Sequence, residues 1–210
     1  MSTASQLEAS GAFTRGGCAA NDRRGYPIMG SGTAFGAAVA VAMMLPPALS
    51  AQAQSLKDFH VADVEDLRSK FVALATALPE DRYDWKPMEG TRSVRDVLVL
   101  VAAEANVFPA NWGLPAADGA AKGYRAESAR LDASLGTRAL LIAELDRSFG
   151  YLSRSLAGMS DSARAADGAT FGREIRVDAG ITLALSDLHE HLGQLIAYAR
   201  MNRIVPPWSR

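Results

Sequence analysis

Cysteine is nearly missing from this sequence, and its scarcity excludes several kinds of chemistry. The 210 residues contain one cysteine, Cys18, close to the N-terminus. Beyond it the chain has no thiol nucleophile, no pair for a disulfide and no CxxC zinc motif. Histidine is also scarce, and the three present are His60, His189 and His191. Any histidine-based site must be built from these three.

An excess of one charge sign is also absent. The formal net charge is −1, from 22 basic and 23 acidic residues, so neither nucleic acid nor an acidic membrane surface is indicated as a partner. The sequence has no phosphate-binding loop, no dinucleotide fingerprint and no Gly-x-Ser-x-Gly nucleophile motif. These absences exclude the common nucleotide-dependent enzymes and serine hydrolases.

The longest apolar run is too short for a comfortable membrane span, which needs about 20 residues. Residues 34–49 are uncharged and rich in alanine, and Ala51-Gln52-Ala53 then fits the small-x-small rule of signal peptidase. The pattern predicts a leader over residues 1–53 that is cleaved after Ala53. The mature protein, residues 54–210, would then be periplasmic or secreted, with no membrane span left. The alternative is an uncleaved N-terminal anchor, and Met1 and Met29 both remain possible starts.

Apolar residues at three- and four-residue steps predict an all-α domain. In the first helix Val64, Leu67 and Phe71 recur at this spacing, and Ser93 is a good N-cap for the second. Helices are predicted over residues 56–78, 94–108, 127–156 and 178–202. Pro109 is expected to end the second of them. Residues 170–177 suggest a short extended segment or hairpin arm, and the four amphipathic helices together favour a four-helix bundle.

Two motifs resemble those of the DinB/YfiT-like family. The first is Tyr83-Asp-Trp-Lys-Pro-Met-Glu-Gly-Thr-Arg-Ser-Val94, which opens the second helix. The second is the final helix, with His191-Leu-Gly-Gln-Leu followed by Tyr198, Arg200 and then Pro206-Pro207. The resemblance covers most of residues 56–208. It implies a four-helix bundle that is often a homodimer, with a divalent-metal site made by three histidines. It also implies that some relatives are thiol-dependent transferases or metal-dependent hydrolases.

This sequence departs from the metal pattern that the resemblance implies. The histidine expected in the second helix falls on Leu100, and the first histidine of the last helix falls on Asp187. Only His191 matches. The departure favours a degenerate site in a non-catalytic module that binds a small ligand or a partner, with no metal.

The alternative is a remodelled metal site. Asp187 and His191 are four residues apart, so they project from one side of a helix, one turn apart. Glu104 lies one turn after Leu100 and supplies a third ligand if the two helices meet in register. Two carboxylates and one imidazole suit Zn, Mn, Fe or Ni, and the protein would then be a divalent-metal-dependent hydrolase or thiol transferase. If no metal binds, Asp187 is expected to orient His191 by a hydrogen bond, while Glu104 pairs with an arginine or sits at the rim.

The remaining polar residues receive simpler interpretations. His189 lies about 160° from His191 around the helix, so we expect it to face solvent or a dimer partner. His60, at the start of the first helix, is expected to be exposed. Gln194 and Tyr198 continue the flank of Asp187 and His191, where they either line the same cleft or bond to each other.

The predicted cleavage gives the first test. When the full sequence is expressed with its own leader, we expect the isolated protein to begin at Gln54, because signal peptidase cuts after a small-x-small motif. N-terminal sequencing and intact mass measure this directly. A chain that still carries residues 34–49 would instead support the anchor.

Overall fold

The computed structural model describes residues 55–209, so the predicted leader lies outside the described residues. The helices are α1 (Leu56–Ala77), α2 (Val94–Asn111), α3 (Tyr124–Ser134), α4 (Arg138–Gly158), α5 (Asp161–Ala165) and α6 (Val177–Met201). Two strands, β1 (Asp167–Thr170) and β2 (Arg173–Arg176), precede α6. Within this described part, no helix has both the length and the apolar character needed to cross a membrane.

The four long helices form the predicted bundle. α4 packs against α1 and α2, and α6 packs against the same two helices from the other side. Apolar side chains from all four meet in one core, where Phe71 of α1 contacts Phe149 of α4 with ring centroids 5.3 Å apart. The short α3 covers α2. The all-α, four-helix-bundle prediction is therefore confirmed.

Side-chain caps set the start of most helices. Ser55, Thr137 and Ser160 each accept a hydrogen bond from a backbone N–H in the first turn of α1, α4 and α5. At α2, Ser93 and Asp96 cap each other's backbone N–H groups, which forms a complete capping box. The capping box fixes where α2 begins, and with it the position of every side chain on that helix.

Two helix boundaries differ from the prediction. The helix predicted over residues 127–156 is two helices, because the chain leaves helical geometry at Leu135 and Thr137 caps a new helix. Gly136 between them has low helix propensity, so a good N-cap next to it favours a break. The second helix continues past Pro109 to Asn111. A proline there removes one backbone donor but does not prevent the last turn from forming.

The segment predicted as extended is a β-hairpin. Its strands pair antiparallel with Thr170 opposite Arg173, and Phe171 and Gly172 form the turn with φ of 50° and 73°. Positive φ at both central residues is typical of the tight type I′ turn. Thr170 is buried and accepts a hydrogen bond from Trp112 Nε1 at 3.1 Å. A Cβ at Gly180 would lie 2.4 Å from Thr170 Oγ1, so glycine lets the hairpin pack against α6.

α2 is the most enclosed helix of the bundle. Every residue from 97 to 109 is buried, including the polar residues Glu104 and Asn106. Asn106 is fully bonded: its Nδ2 donates to Glu127 and Glu144, both at 2.9 Å, and its Oδ1 accepts from Arg147 at 2.9 Å. This network ties α2 to both α3 and α4.

Replacement of Asn106 tests the importance of that network. Asn106→Leu keeps the side-chain volume but removes one hydrogen bond from each of Glu127 and Glu144 and one acceptor from Arg147, so we expect a loss of about 1–3 kcal/mol in the free energy of unfolding. Urea denaturation measures the change. Asn111→Leu, at the exposed end of the same helix, is the matched control and should change stability by less than about 0.5 kcal/mol. Equal effects of the two substitutions would contradict a structural role for the network.

Candidate metal centre

Three side chains that could bind a metal converge between α2 and α6. Glu104 comes from α2, and Asp187 and His191 come from successive turns of α6. One donor atom from each lies within 4.8 Å of the other two. His191 Nε2 is 3.6 Å from Asp187 Oδ2 and 3.9 Å from Glu104 Oε2. The two helices therefore meet in the register that brings Glu104 to the pair on α6.

One carboxylate oxygen of each acidic residue in this cluster is buried and lacks a partner within residues 55–209. Glu104 Oε2 and Asp187 Oδ2 are inaccessible to solvent, and neither has a hydrogen-bond partner among residues 55–209. No arginine or lysine in that range forms an ion pair with Glu104, although this residue is only 4% exposed. A buried carboxylate oxygen without a donor is costly, so the site requires either a proton or a cation.

The pKa values of both carboxyl groups reflect this environment. Burial raises the pKa of Glu104 to about 8, and the negative charge of Asp187 adds to the shift. Burial also raises the pKa of Asp187, an effect that a positive charge on the nearby His191 would oppose. The positive charge of Arg92 acts in the opposite direction on both groups. In the metal-free protein near neutral pH, Glu104 therefore holds a proton, as expected for two carboxyl groups in one site.

A chain of hydrogen bonds orients His191. The Tyr198 hydroxyl donates to the Arg92 carbonyl oxygen at 3.1 Å, so it must accept the bond from Gln194 Nε2 at 2.8 Å. The Gln194 carbonyl oxygen then faces His191 Nδ1 at 3.4 Å, which makes Nδ1 the protonated nitrogen. The lone pair of His191 is on Nε2 and faces Glu104 and Asp187. This is the tautomer that a metal ligand requires, held by an outer hydrogen bond.

The geometry does not support the interpretation that Asp187 orients His191 by a hydrogen bond. Its Oδ2 is 3.6 Å from His191 Nε2, which is beyond hydrogen-bond distance. Gln194 orients the imidazole instead. Gln194 and Tyr198 bond to each other, as one of the two interpretations of this pair expects, and Gln194 also contacts His191.

Leu100 does not occupy the space between the three donors. It is buried and lies one turn before Glu104 on α2, where it lines a neighbouring cavity of about 450 Å³ between α2 and α3. Arg92, Val99, Tyr124 and Ser128 line the same cavity. The position at which the family resemblance implies a histidine thus faces an open cavity, while the third donor comes from the next turn.

The other two histidines lie outside the cluster. His189 is exposed and its Nε2 bonds to Asp63 of α1 at 2.9 Å. The expectation that His60 is exposed was wrong: it is 1% exposed, because α5 and α6 cover it through Arg164 and Thr182.

Sequence reasoning also missed Arg92. Its place beside the N-cap of α2 was the available signal, but its nearness to the carboxyl groups depends on how α2 and α6 pack.

Comparison with known proteins gives two findings. Residues 63–195 match the sequence model of the DinB superfamily. The fold is similar to the crystal structure of the DinB-like protein YjoA from Bacillus subtilis, with a TM-score of 0.50 and 19% sequence identity. That similarity covers 68% of this chain and 90% of the other, and at this identity it supports the fold alone. No curated protein matches the chain.

The raised pKa of Glu104 gives a test of the site in metal-free protein. Its folded pKa of about 8 exceeds the ordinary carboxyl value, so the native state binds more protons than the unfolded state between these two values. Stability should therefore fall as pH rises from about 5 to about 8. Glu104→Gln has no such proton to lose, so we expect it to become more stable than the wild type as pH rises through this range.

Urea denaturation at a series of pH values, with EDTA present, measures this difference. Glu174→Gln on the exposed strand β2 is the matched control, and its stability should follow that of the wild type at each pH. Parallel pH profiles for the wild type and Glu104→Gln would show that Glu104 ionises normally.

Proposed function

This chain belongs to the DinB superfamily, and we propose that it is a divalent-metal-dependent enzyme whose ion is bound by Glu104, Asp187 and His191. The observation that carries the proposal is the convergence of these three donors around two buried oxygens that lack partners in the described chain. A bound cation would satisfy both oxygens at once.

The donor set and spacing fit one divalent ion. Ligand atoms about 2.1 Å from a metal lie roughly 3 to 4 Å from each other, and the two distances from His191 Nε2 are 3.6 Å and 3.9 Å. Two carboxylates and an imidazole suit Zn, Mn or Fe, with Ni also possible. Three protein ligands leave room for a further ligand, as in catalytic rather than structural zinc sites.

A divalent ion here would supply a Lewis acid that favours an anionic nucleophile at neutral pH. The protein residues would provide solvent access, a fixed orientation of His191 and a positive charge for the substrate. Asp187 is the most exposed of the three, with 28% of its side chain accessible, so the site opens to solvent on its side. Gln194 and Tyr198 hold His191 in one orientation. Arg92 brings a positive charge near the carboxylates and would attract an anionic group of the substrate. The reaction we propose is hydrolysis or transfer to a thiol.

A non-catalytic binding module is the second candidate. Its support is that Glu104, with its raised pKa, can hold a proton beside Asp187 and so stabilise the pair without metal. The loss of two of the three histidines implied by the family pattern favours the same view. In that case the cavity of about 450 Å³ beside Leu100 would hold a small organic ligand.

Metal content distinguishes the two candidates. We expect near-stoichiometric Zn, Mn, Fe or Ni by ICP-MS in protein expressed from the full sequence and purified without a histidine tag. His191→Ala should lose at least about tenfold in metal content, because two ligands rarely hold such an ion tightly. Glu104→Gln should also lose metal, since a neutral amide is a poorer ligand for these cations.

His189→Ala is the matched control, because this histidine lies two residues from His191 on the same helix and bonds to Asp63 outside the site. It should retain the wild-type content. If the wild type stays metal-free after incubation with each of the four ions, the enzyme proposal fails and the binding module remains.

We also propose that the protein acts after export, in the periplasm or outside the cell, and as a homodimer. The support for export is the predicted leader, and the support for a dimer is the family resemblance. Light scattering on the isolated protein tests the second point, where a monomer mass would contradict it.

A further inference from the structure

Arg164 is a buried cation that forms no ion pair within residues 55–209, and it lies far from the candidate metal centre. It belongs to the short helix α5 and is only 6% exposed. Its Nη2 contacts His60 Nδ1 at 2.7 Å, while Nη1 is buried with no hydrogen-bond partner in the described range 55–209. Arginine remains charged under all ordinary conditions, and burial of an uncompensated charge is unfavourable. The guanidinium therefore lacks one partner that its environment requires.

His60 cannot supply the missing negative charge. The Thr182 hydroxyl donates to the Asp178 carbonyl oxygen at 3.1 Å, so it accepts the bond from His60 Nε2 at 3.0 Å. The proton of the imidazole is therefore on Nε2, and Nδ1 accepts from Arg164. Burial and the charge of Arg164 lower the pKa of His60, which keeps the ring neutral. His60 holds the guanidinium in place without neutralising it.

A small cavity lies against Arg164, and positive charge exceeds negative charge along its wall. The cavity has a volume of about 220 Å³, and its charged lining residues are Lys57, Arg164, Arg176, Asp161 and Asp178. Arg176 holds Asp178 through two hydrogen bonds of 3.2 and 2.7 Å, and the more distant charge of Arg164 also lowers the pKa of Asp178.

The other acidic residue of the wall does not compensate Arg164. Asp161 is exposed, and within residues 55–209 it forms no ion pair. Lys57 Nζ donates to the Met159 carbonyl oxygen at 3.0 Å, and no carboxylate of the described chain lies within ion-pair distance of it. Two cations at this cavity thus have no anionic partner.

We propose that this cavity binds a small oxyanion, of the carboxylate or phosphate type, on the Arg164 guanidinium, with Lys57 as a second cationic contact. The planar guanidinium suits oxyanions because its N–H groups form parallel bonds to two oxygens. The cavity volume of about 220 Å³ is large enough for inorganic phosphate or a short carboxylate. The bound anion would join α1, α5 and α6. The site is separate from the candidate metal centre, since Asp178 and Asp187 are about 13 Å apart along α6.

Anion titration tests the proposal. We expect inorganic phosphate or succinate, added at fixed ionic strength, to raise the melting temperature of the wild type in a saturable way. The two probes distinguish a phosphate site from a carboxylate site. Isothermal titration calorimetry with the better probe should show that Arg164→Met weakens binding by about tenfold or more, because the charge-assisted bonds are lost.

Two further variants keep the test decisive. Arg173→Met removes an exposed cation from β2, outside the cavity lining, and should bind the anion as the wild type does. Lys57→Met leaves the contact between Arg164 and His60 intact and should weaken anion binding by about threefold or more. This variant tests the proposal if Arg164→Met does not fold. The proposal is overturned if neither probe produces a saturable shift, or if the wild type and the Arg164 and Lys57 variants bind equally.

Discussion

The enclosure of α2 is the constraint on which the rest of the structure depends. This helix is covered by α3, α4 and α6, and every side chain from residue 97 to 109 is buried. A polar group in such a place has no water to bond with, so protein partners must satisfy it. α2 carries two such groups in its middle, Asn106 and Glu104, and the fold treats them differently. Asn106 has a complete set of hydrogen bonds, which also holds α3 and α4 in place.

Glu104 is left unsatisfied, next to a second carboxyl group. If stability alone governed this position, an apolar residue would fill it better, as at the neighbouring Ala103 and Ala105. A group that weakens the fold yet lies among further polar groups with fixed orientations is typical of a functional site. The hydrogen bonds from Tyr198 through Gln194 to His191 strengthen this view. They orient the imidazole toward Glu104, which a purely structural histidine would not require.

Much of this arrangement was accessible from the sequence, and the failures have physical causes. Periodicity located the bundle helices because each buries one continuous apolar face, and the i, i+4 spacing placed Asp187 beside His191. The break at Gly136 was missed because the apolar stripe continues across it. His60 was misjudged because α5, which covers it, has only five residues and no periodic signal. Whether Glu104 joins the pair on α6 depends on the register between α2 and α6. Glu104 and Asp187 are 83 residues apart in the chain, so a local sequence pattern cannot determine this register.

The remodelled donor set has an electrostatic consequence. Three neutral histidines, as the family pattern implies, would leave the full charge of a divalent ion uncompensated. One imidazole with two carboxylates would cancel that charge and leave a weaker Lewis acid, less able to lower the pKa of a bound nucleophile. Arg92 would counter part of this effect, because its positive charge lies near both carboxyl groups and adds to that of the ion. In the enzyme that we propose, a site with this balance would suit a substrate that is more easily activated than an unstrained amide.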